Sequence, residues 1–496
     1  MTIQMQSIMG RALRNGGRVL AAGFVLAALW TLAAACHLTD VSNPDIVPTG
    51  GLNDPLALPT IRAGAIGDFG IAYTGSGASG SGGTVEGQVL ASGMLADEWI
   101  NTETFPDRVQ ADARQTDPAS GTFTTIFRNL ARSHLSAKSA AQRFHDLSDT
   151  LRNTGMSEML TLQAYTRLFF AENYCSGVPL SYPKPDGTVA YGAQLTSAQM
   201  LDSALFIFNA AVAAARQLND STAGKANFIA FATVGKARAL LDMGRLVDAD
   251  TVASAASVPT TFVYVIQHDL NTTRQQNGVY SGIRKFKRYG VADAEGGAGL
   301  AWRTVLDPRT TFTRVPATNR GFDNATPQFD QLRYTDEKAA ITLATGLEAR
   351  LINAEAALRR GDTATFMVDL NGLRASPPGY ILAGVQGTGT PVDQPKPVAP
   401  GALAALANPA DSTAAITLLF NERARWLWGT AHRLNDLRRL ERAAGVRGGY
   451  GRPDTLVFPH GPYFKNGLIY GTDTNYPIPL DEQNNPGVHA CLDRLP

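Results

Sequence analysis

Lys338 to Arg374 reads KAAITLATGLEARLINAEAALRRGDTATFMVDLNGLR. Alanine, leucine and arginine, all good helix formers, dominate its first part, which predicts a helix over Lys338 to Arg360. Gly361 supplies a stop, and Thr363 to Arg374 resumes the apolar spacing of a second helix. So short a turn makes the two helices antiparallel neighbours. The same plan occurs earlier, where Asn227 to Met243 is stopped by Gly244 and followed by a helix from Leu246 to about Ala256. Small residues stand where paired helices would touch. Single helices with the same patterning surround these hairpins: Leu58, Ile61, Ala65, Phe69 and Ala72; Phe123, Ile126, Phe127, Leu130 and His134; Met200, Ala204, Phe208, Ala211 and Ala215. Apolar stripes of this kind are packing faces, so none of these residues is assigned to a ligand.

The segments ALLDMGRLVDA (239–249) and AEAALRRGD (354–362) look like divergent tetratricopeptide hairpins, although they are not in tandem. The expected fold is therefore mostly α, an irregular tetratricopeptide-like helical-repeat scaffold with long loops and few short strands. Val263 to Gln267 (VYVIQ) is the clearest strand. His268 to Asn324 is a long irregular stretch carrying Tyr280, Phe286, Tyr289, Trp302, Phe312 and Phe322, a composition that favours an ordered, ligand-facing surface. Ala375 to Asp411, rich in Gly and Pro, reads as a surface excursion. The 496 residues suffice for a sizeable core. A formal charge of +1 lacks the basic surplus that neutralising phosphates requires, so no nucleic-acid partner is expected.

Arg11, Arg14 and Arg18 precede an apolar run, Val19 to Ala35, that ends in Ala33-Ala34-Ala35-Cys36. This pattern reads as a secretory signal over 1–35, and the small residues before Cys36 resemble the lipobox of bacterial lipoproteins, in which the thiol is diacylated. An uncleaved anchor or an ordinary signal is the alternative. Removal of residues 1–35 takes away three arginines and no acid, leaving a slightly acidic remainder. Residues 36–55 include a Pro-, Gly- and Asn-rich run and would tether residues 56–496 to the membrane. In an oxidising compartment Cys175 and Cys491 are expected to pair as a disulfide, with two separate buried thiols as the alternative.

Asn421 to Arg439, NERARWLWGTAHRLNDLRR, resembles the late helix motif of the RagB/SusD family of outer-membrane nutrient-uptake lipoproteins, with Glu422, Arg423, His432, Arg433, Asp436, Leu437 and Arg438 in register. Trp426 and Thr430 stand where the family often has Glu, and Ala431 where it has Gly. YPIPLDEQNNPG (476–487) resembles the closing motif through Pro477, Ile478, Pro479, Glu482, Asn485 and Pro486, and Glu355, Gly361, Asn371 and Arg374 match the central repeat. The resemblance implies a non-catalytic, cell-surface, lipid-anchored solute-binding protein, usually for glycans and sometimes peptides. Such a protein acts as a lid on a SusC-like TonB-dependent outer-membrane transporter. The motif residues themselves read as architecture, with Arg433, Asp436 and Arg438 placed to engage neighbouring segments and Trp426 and Trp428 packed between helices.

The family motifs do not specify ligand residues. Tyr73, Trp99, Tyr280, Tyr289 and Trp302 are candidates because each lies in or beside a loop, where an aromatic face could meet a sugar ring or a partner surface. The run Arg284-Lys285-Phe286-Lys287-Arg288 could attract an acidic sugar, but reads first as a solvated face. Gly75 to Gly80 matches G-x-G-x-x-G without a preceding strand, which marks a loop. No phosphate-binding, zinc-protease or serine-hydrolase motif occurs, and the histidines lack metal-ligand spacing, so neither metal nor cofactor is expected. Asp97 and Glu98 are adjacent carboxylates that diverge by about 100° on a helix, a poor start for a glycosidase pair. A lipid-anchored polysaccharide or peptide hydrolase is the alternative function, and a ligand-free envelope scaffold the third.

Overall fold

The spacing after Leu58 is realised as helix α1 (Leu58–Thr74), which turns Leu58, Ala65, Phe69, Ala72 and Tyr73 inward. The computed structural model describes residues 53–78, 84–184, 186–222, 224–313, 319–381, 400–488 and 490–496. Cys36, the leader and most of the tether lie outside the described residues. Contacts divide the chain at Ala57, and the first part is described only over its last few residues, including a 3-10 turn at Pro55–Ala57.

In the second part, Leu58–Pro496, helices follow one another: α2 (Gln88–Ala96), α3 (Pro106–Asp112), α4 (Gly121–Leu147), α5 (Arg152–Asn173), α6 (Ser197–Arg216), α7 (Lys225–Asp242) and α8 (Leu246–Val252). Helix α4 packs on α1 and α5, α5 on α6, and α6 on α7. Side-chain caps fix two of these starts, Ser120 accepting from the Phe123 amide at α4 and a reciprocal Thr196/Gln199 capping box at α6. Where α6 and α7 approach, Gly235 leaves room for the Phe208 ring.

Strands are short and paired antiparallel. β1 (Trp99–Asn101) pairs β7 (Tyr289–Val291), and between α5 and α6, β2 (Val178–Pro179) pairs β5 (Gln194–Leu195) while β3 (Tyr182–Pro183) pairs β4 (Val189–Ala190). β6 (Val263–Ile266) pairs β8 (Ile341–Thr345). That last pairing corrects the reading of Lys338 to Arg360 as one helix: Ile341 to Thr345 is a buried strand, and helix α9 begins at Gly346 (Gly346–Arg359). β-Branched Ile341, Thr342 and Thr345 suit a pleated strand, and Thr345 also caps α9 by accepting from the Glu348 amide. α10 (Thr363–Ala375) completes the second hairpin behind the Asp362 cap.

The late motif is two helices: α11 (Ser412–Trp426) and α12 (Arg433–Glu441). They are joined by a turn in which Gly429 and Ala431 take positive φ. Pro477, Ile478 and Pro479 are buried, the backbone of Tyr476 bonding to Asn173 and Cys175 and that of Leu480 to Pro118. Cys175 and Cys491 are joined by a disulfide.

Candidate functional site

The expected ligand aromatics sit differently from a binding surface. Tyr73, Trp99, Tyr289 and Trp302 are each no more than 1% exposed. The Tyr73 hydroxyl donates to the carbonyls of Thr342 (2.8 Å) and Thr430 (3.1 Å), and that of Tyr289 to Glu86 (2.6 Å). Trp99 and Trp302 lie 5.3 and 6.2 Å from the Trp428 ring, forming a core seam between the end of α2, the long loop and the α11–α12 turn. Their rings have no free face for a sugar, because a loop residue can be as buried as a helical one when distant segments close over it. Tyr280 alone keeps part of its surface, with Arg284 beside its ring.

The motif residues build the frame. Arg433 donates through Nε and Nη2 to Asp97 at 2.6 and 2.7 Å, tying α12 to the end of α2, while the Asp97 carbonyl accepts from the Trp302 indole. Arg423 forms a two-pronged pair with Asp436 at 2.9 Å, and Arg439 reaches both Asp436 and Glu355. Asp436 is held well below the usual carboxylate range, since Arg423 and Arg439 outweigh its burial. Glu422 accepts from Arg309, Arg374 and the Trp426 indole. Arg438 donates to the carbonyls of Ala171, Glu172 and Leu495. Asn485 donates to the Gly192 carbonyl at 3.1 Å, and Pro486 beside it is exposed. Glu98 is buried with one carboxylate oxygen on the Gly429 amide and the other unpartnered; burial pushes its pKa up to about 8.

Exposed aromatic surface gathers elsewhere. A cleft of about 620 Å³ is lined by Thr104, Asp323, Ala325, Thr326, Pro327, Phe464, Lys465 and Asn466. Phe464 is 50% exposed, and beside the cleft Phe105 (45%) and Phe322 (50%) stand 6.3 Å apart. Phe464 is presented by a tight hairpin: the Leu468 amide donates to the Lys465 carbonyl, and Asn466 and Gly467 both adopt positive φ, as a two-residue turn of the type I′ class requires. Lys465 fastens this hairpin to the opposite wall through Asp323 (2.7 Å) and the Glu103 carbonyl (2.5 Å). Burial works to raise Asp323, but Lys465 and Thr326 hold its pKa below the ordinary value.

Beneath the phenylalanines lies a compact charge cluster. Arg108 bridges Glu86 and Glu103 at 3.1 Å, and the guanidinium groups of Arg108 and Arg288 lie 5.1 and 6.0 Å from the Phe105 ring. Burial pushes Glu103 up to about 7 against the pull of Arg108. The cleft thus combines apolar ring faces with fixed donors and acceptors, the pairing that suits an uncharged polyhydroxylated ligand.

No family model matches the chain, and no curated relative matches it. Solved structures do. A SusD superfamily protein from Bacteroides fragilis superposes with a TM-score of 0.57 at 12% identity, covering 88% of this chain and 99% of that one. A SusD superfamily protein from Bacteroides vulgatus gives 0.55 at 13% identity over 89% and 99%. The fold is SusD-like. A third structure, surface glycan-binding protein A from Bacteroides uniformis, gives a TM-score of 0.54 at 13% identity, covering 87% of this chain and 99% of that one.

Within the SusD-like scaffold, sequence reasoning missed Phe105, Phe464 and Lys465 and placed Phe322 only within the long irregular stretch. Asn466-Gly467 flags the hairpin that presents Phe464. Nothing local announces that three segments far apart in sequence converge on one cleft.

Proposed function

We propose that this protein is a non-catalytic, cell-surface glycan-binding lipoprotein that captures an oligosaccharide and passes it to a SusC-like TonB-dependent outer-membrane transporter. The observation that carries the reading is the trio Phe105, Phe322 and Phe464, half-exposed around a polar cleft on a SusD-like fold. Sugar rings stack their CH faces on such aromatics, while Thr104, Asn466 and backbone groups offer hydrogen bonds to hydroxyls. A non-catalytic role is supported by the lining itself: Asp323 is its one carboxylate among the described residues, and Lys465 already holds it. A glycosidase would need a second convergent carboxylate. The proposal includes cleavage before Cys36, lipidation of that residue and exposure of residues 56–496 at the outer membrane. A peptide in place of the glycan is the variant of this reading.

Calorimetric titration with a panel of neutral oligosaccharides tests it. Saturable binding that falls roughly tenfold in Phe464→Ala, with the melting temperature unchanged, is the expected result. Turnover of a polymer by the purified protein would replace it with the hydrolase reading. Recovery of a β-barrel transporter in near-equal amount with the tagged protein, but not with a Cys36→Ala control that has lost the membrane, would establish the partner and the anchor.

A further inference from the structure

Helices α4, α5 and α6 line an open groove of about 480 Å³ that shares no lining residue with the phenylalanine cleft. Its apolar lining includes Ala141, Leu160 and Ile207, and at its edge stands Phe206, 75% exposed. Arg167 reaches in from α5. One of its terminal nitrogens donates to the Ser203 hydroxyl, whereas Nε is buried with no hydrogen-bond partner. Among the described residues no carboxylate pairs with it, and burial alone sets its pKa below the ordinary value. More deeply buried guanidinium groups are treated differently: those of Arg238, Arg309, Arg433 and Arg439 face carboxylates, and that of Arg438 donates to backbone carbonyls.

Other polar groups line the same wall. Gln163, one turn before Arg167 and lining the same groove, is 5% exposed and brings an amide to the same wall. Lys138 adds an exposed ammonium on the α4 side, resting 5.1 Å from the Tyr182 ring with no carboxylate partner among the described residues. His145, at the far end, is matched by Asp146. A partly desolvated guanidinium with a buried unpartnered Nε and no carboxylate is costly, and a bound anion with its own acceptors would relieve it. A planar guanidinium favours a carboxylate, which can take two of its N–H groups at once.

We propose that this groove binds a small organic carboxylate, its charge on Arg167 with Lys138 and Gln163 alongside and its apolar face on Leu160, Ile207 and Phe206. The volume falls within the range of small-molecule sites. Two sources share this chemistry, a uronic acid with its ring face on the apolar wall and a short aliphatic acid. The inference does not rest on the function of the phenylalanine cleft.

The test is calorimetric titration of the full chain in mild detergent with glucuronate, hexanoate and glucose, empty micelles serving as the blank. At least one of the two acids binds saturably, glucose does not, and the acid that binds identifies the source. Arg167→Gln weakens that binding roughly tenfold or more, and Arg167→Lys retains part of it. Ala210→Trp, an exposed position on the α6 wall, blocks the groove and guards against misfolding of the arginine variant. Phe464→Ala leaves the acid's binding unchanged, which separates this site from the cleft. Absence of binding by both acids, equal binding of glucose, or affinity indifferent to both Arg167→Gln and Ala210→Trp would overturn the proposal.

Discussion

Arg433 holds a charge where its side chain is only 6% exposed, and it is stable there because Asp97 takes both prongs of the guanidinium. Removing one member of such a pair leaves the other charged and desolvated. Arg433→Ala is therefore expected to cost about 3 to 5 kcal/mol in urea denaturation, and Asp97→Ala combined with it substantially less than the sum of the single changes. Asp112 shows the opposite electrostatics. Burial pushes its pKa up to about 7, although the Tyr463 hydroxyl (2.5 Å) and the Asn101 amide (2.8 Å) both donate to it. An unfolded aspartate titrates near ~3.9, so the folded chain holds this proton more tightly. That contribution is complete below about pH 4 and is lost as pH rises through 7. Glu98, Glu103 and Glu441 shift in the same direction, whereas the lowered values of buried His134, His268 and His432 favour the fold as pH rises through about 6.5, so the carboxyl contribution is the part of the pH 5 to 8 profile that a change at Asp112 alters. Melting curves across this range check it, and Asp112→Asn should flatten the slope. At this scale the sequence was legible where charge and spacing met, as in Arg433 and Asp436. It was illegible for Trp99 and Trp302, whose burial depends on contacts such as the Trp302 indole to the Asp97 carbonyl, 205 positions away.

Helices that pack closely need small residues at the crossing. A Cβ built on Gly235 would sit 2.3 Å from the Phe208 ring and 3.0 Å from Tyr165, so Gly235→Ala forces α6 and α7 apart. The helix-propensity gain of alanine, under about 1 kcal/mol, is smaller than the overpacking penalty of about 1 to 3 kcal/mol. A net loss in denaturant midpoint is the expected outcome, and unchanged stability would show that the crossing can relax. Helical elements were readable because their periodicity is local: α1, α4 and α6 fall where their stripes predicted. Ile341 to Thr345 was not, since five apolar and β-branched residues next to a strong helix former satisfy either periodicity. The choice is made by β6, which lies almost eighty positions earlier and offers the matching edge. The Phe464 hairpin obeys the same logic, its turn written locally in Asn466-Gly467 and its placement set by Lys465 bonding to Asp323 and to the Asn101–Glu103 segment.

Across the whole molecule the last residues are stitched back to the middle of the chain. Cys491 bonds to Cys175 at a sequence separation of 316, and around it Leu492 donates to the Ser176 carbonyl while Ser176 donates to that of Asp493. Arg438 and Arg442 on and just beyond α12 bond to the carbonyls of Leu495 and Pro496, so the tail also closes over the late motif. Closing so long a loop removes much of the unfolded chain's freedom, which the chain-entropy model values at roughly 5 to 6 kcal/mol as an upper bound. Reduction, or the Cys175→Ala/Cys491→Ala pair, should therefore lower the melting temperature clearly. The tail's hydrogen bonds persist in the folded reduced protein, so the loss should appear as reduced global stability and faster proteolysis near residues 490–496, with the cleft intact. Oligosaccharide affinity at low temperature is expected to be unchanged, because Phe105, Phe322 and Phe464 are held by Lys465, Arg108 and the β1–β7 pair, none of which touches the disulfide. Loss of affinity on reduction, with the melting temperature unaltered, would instead mean that the C-terminal segment shapes the cleft, and the division between a stitched scaffold and a separately braced binding face would be wrong.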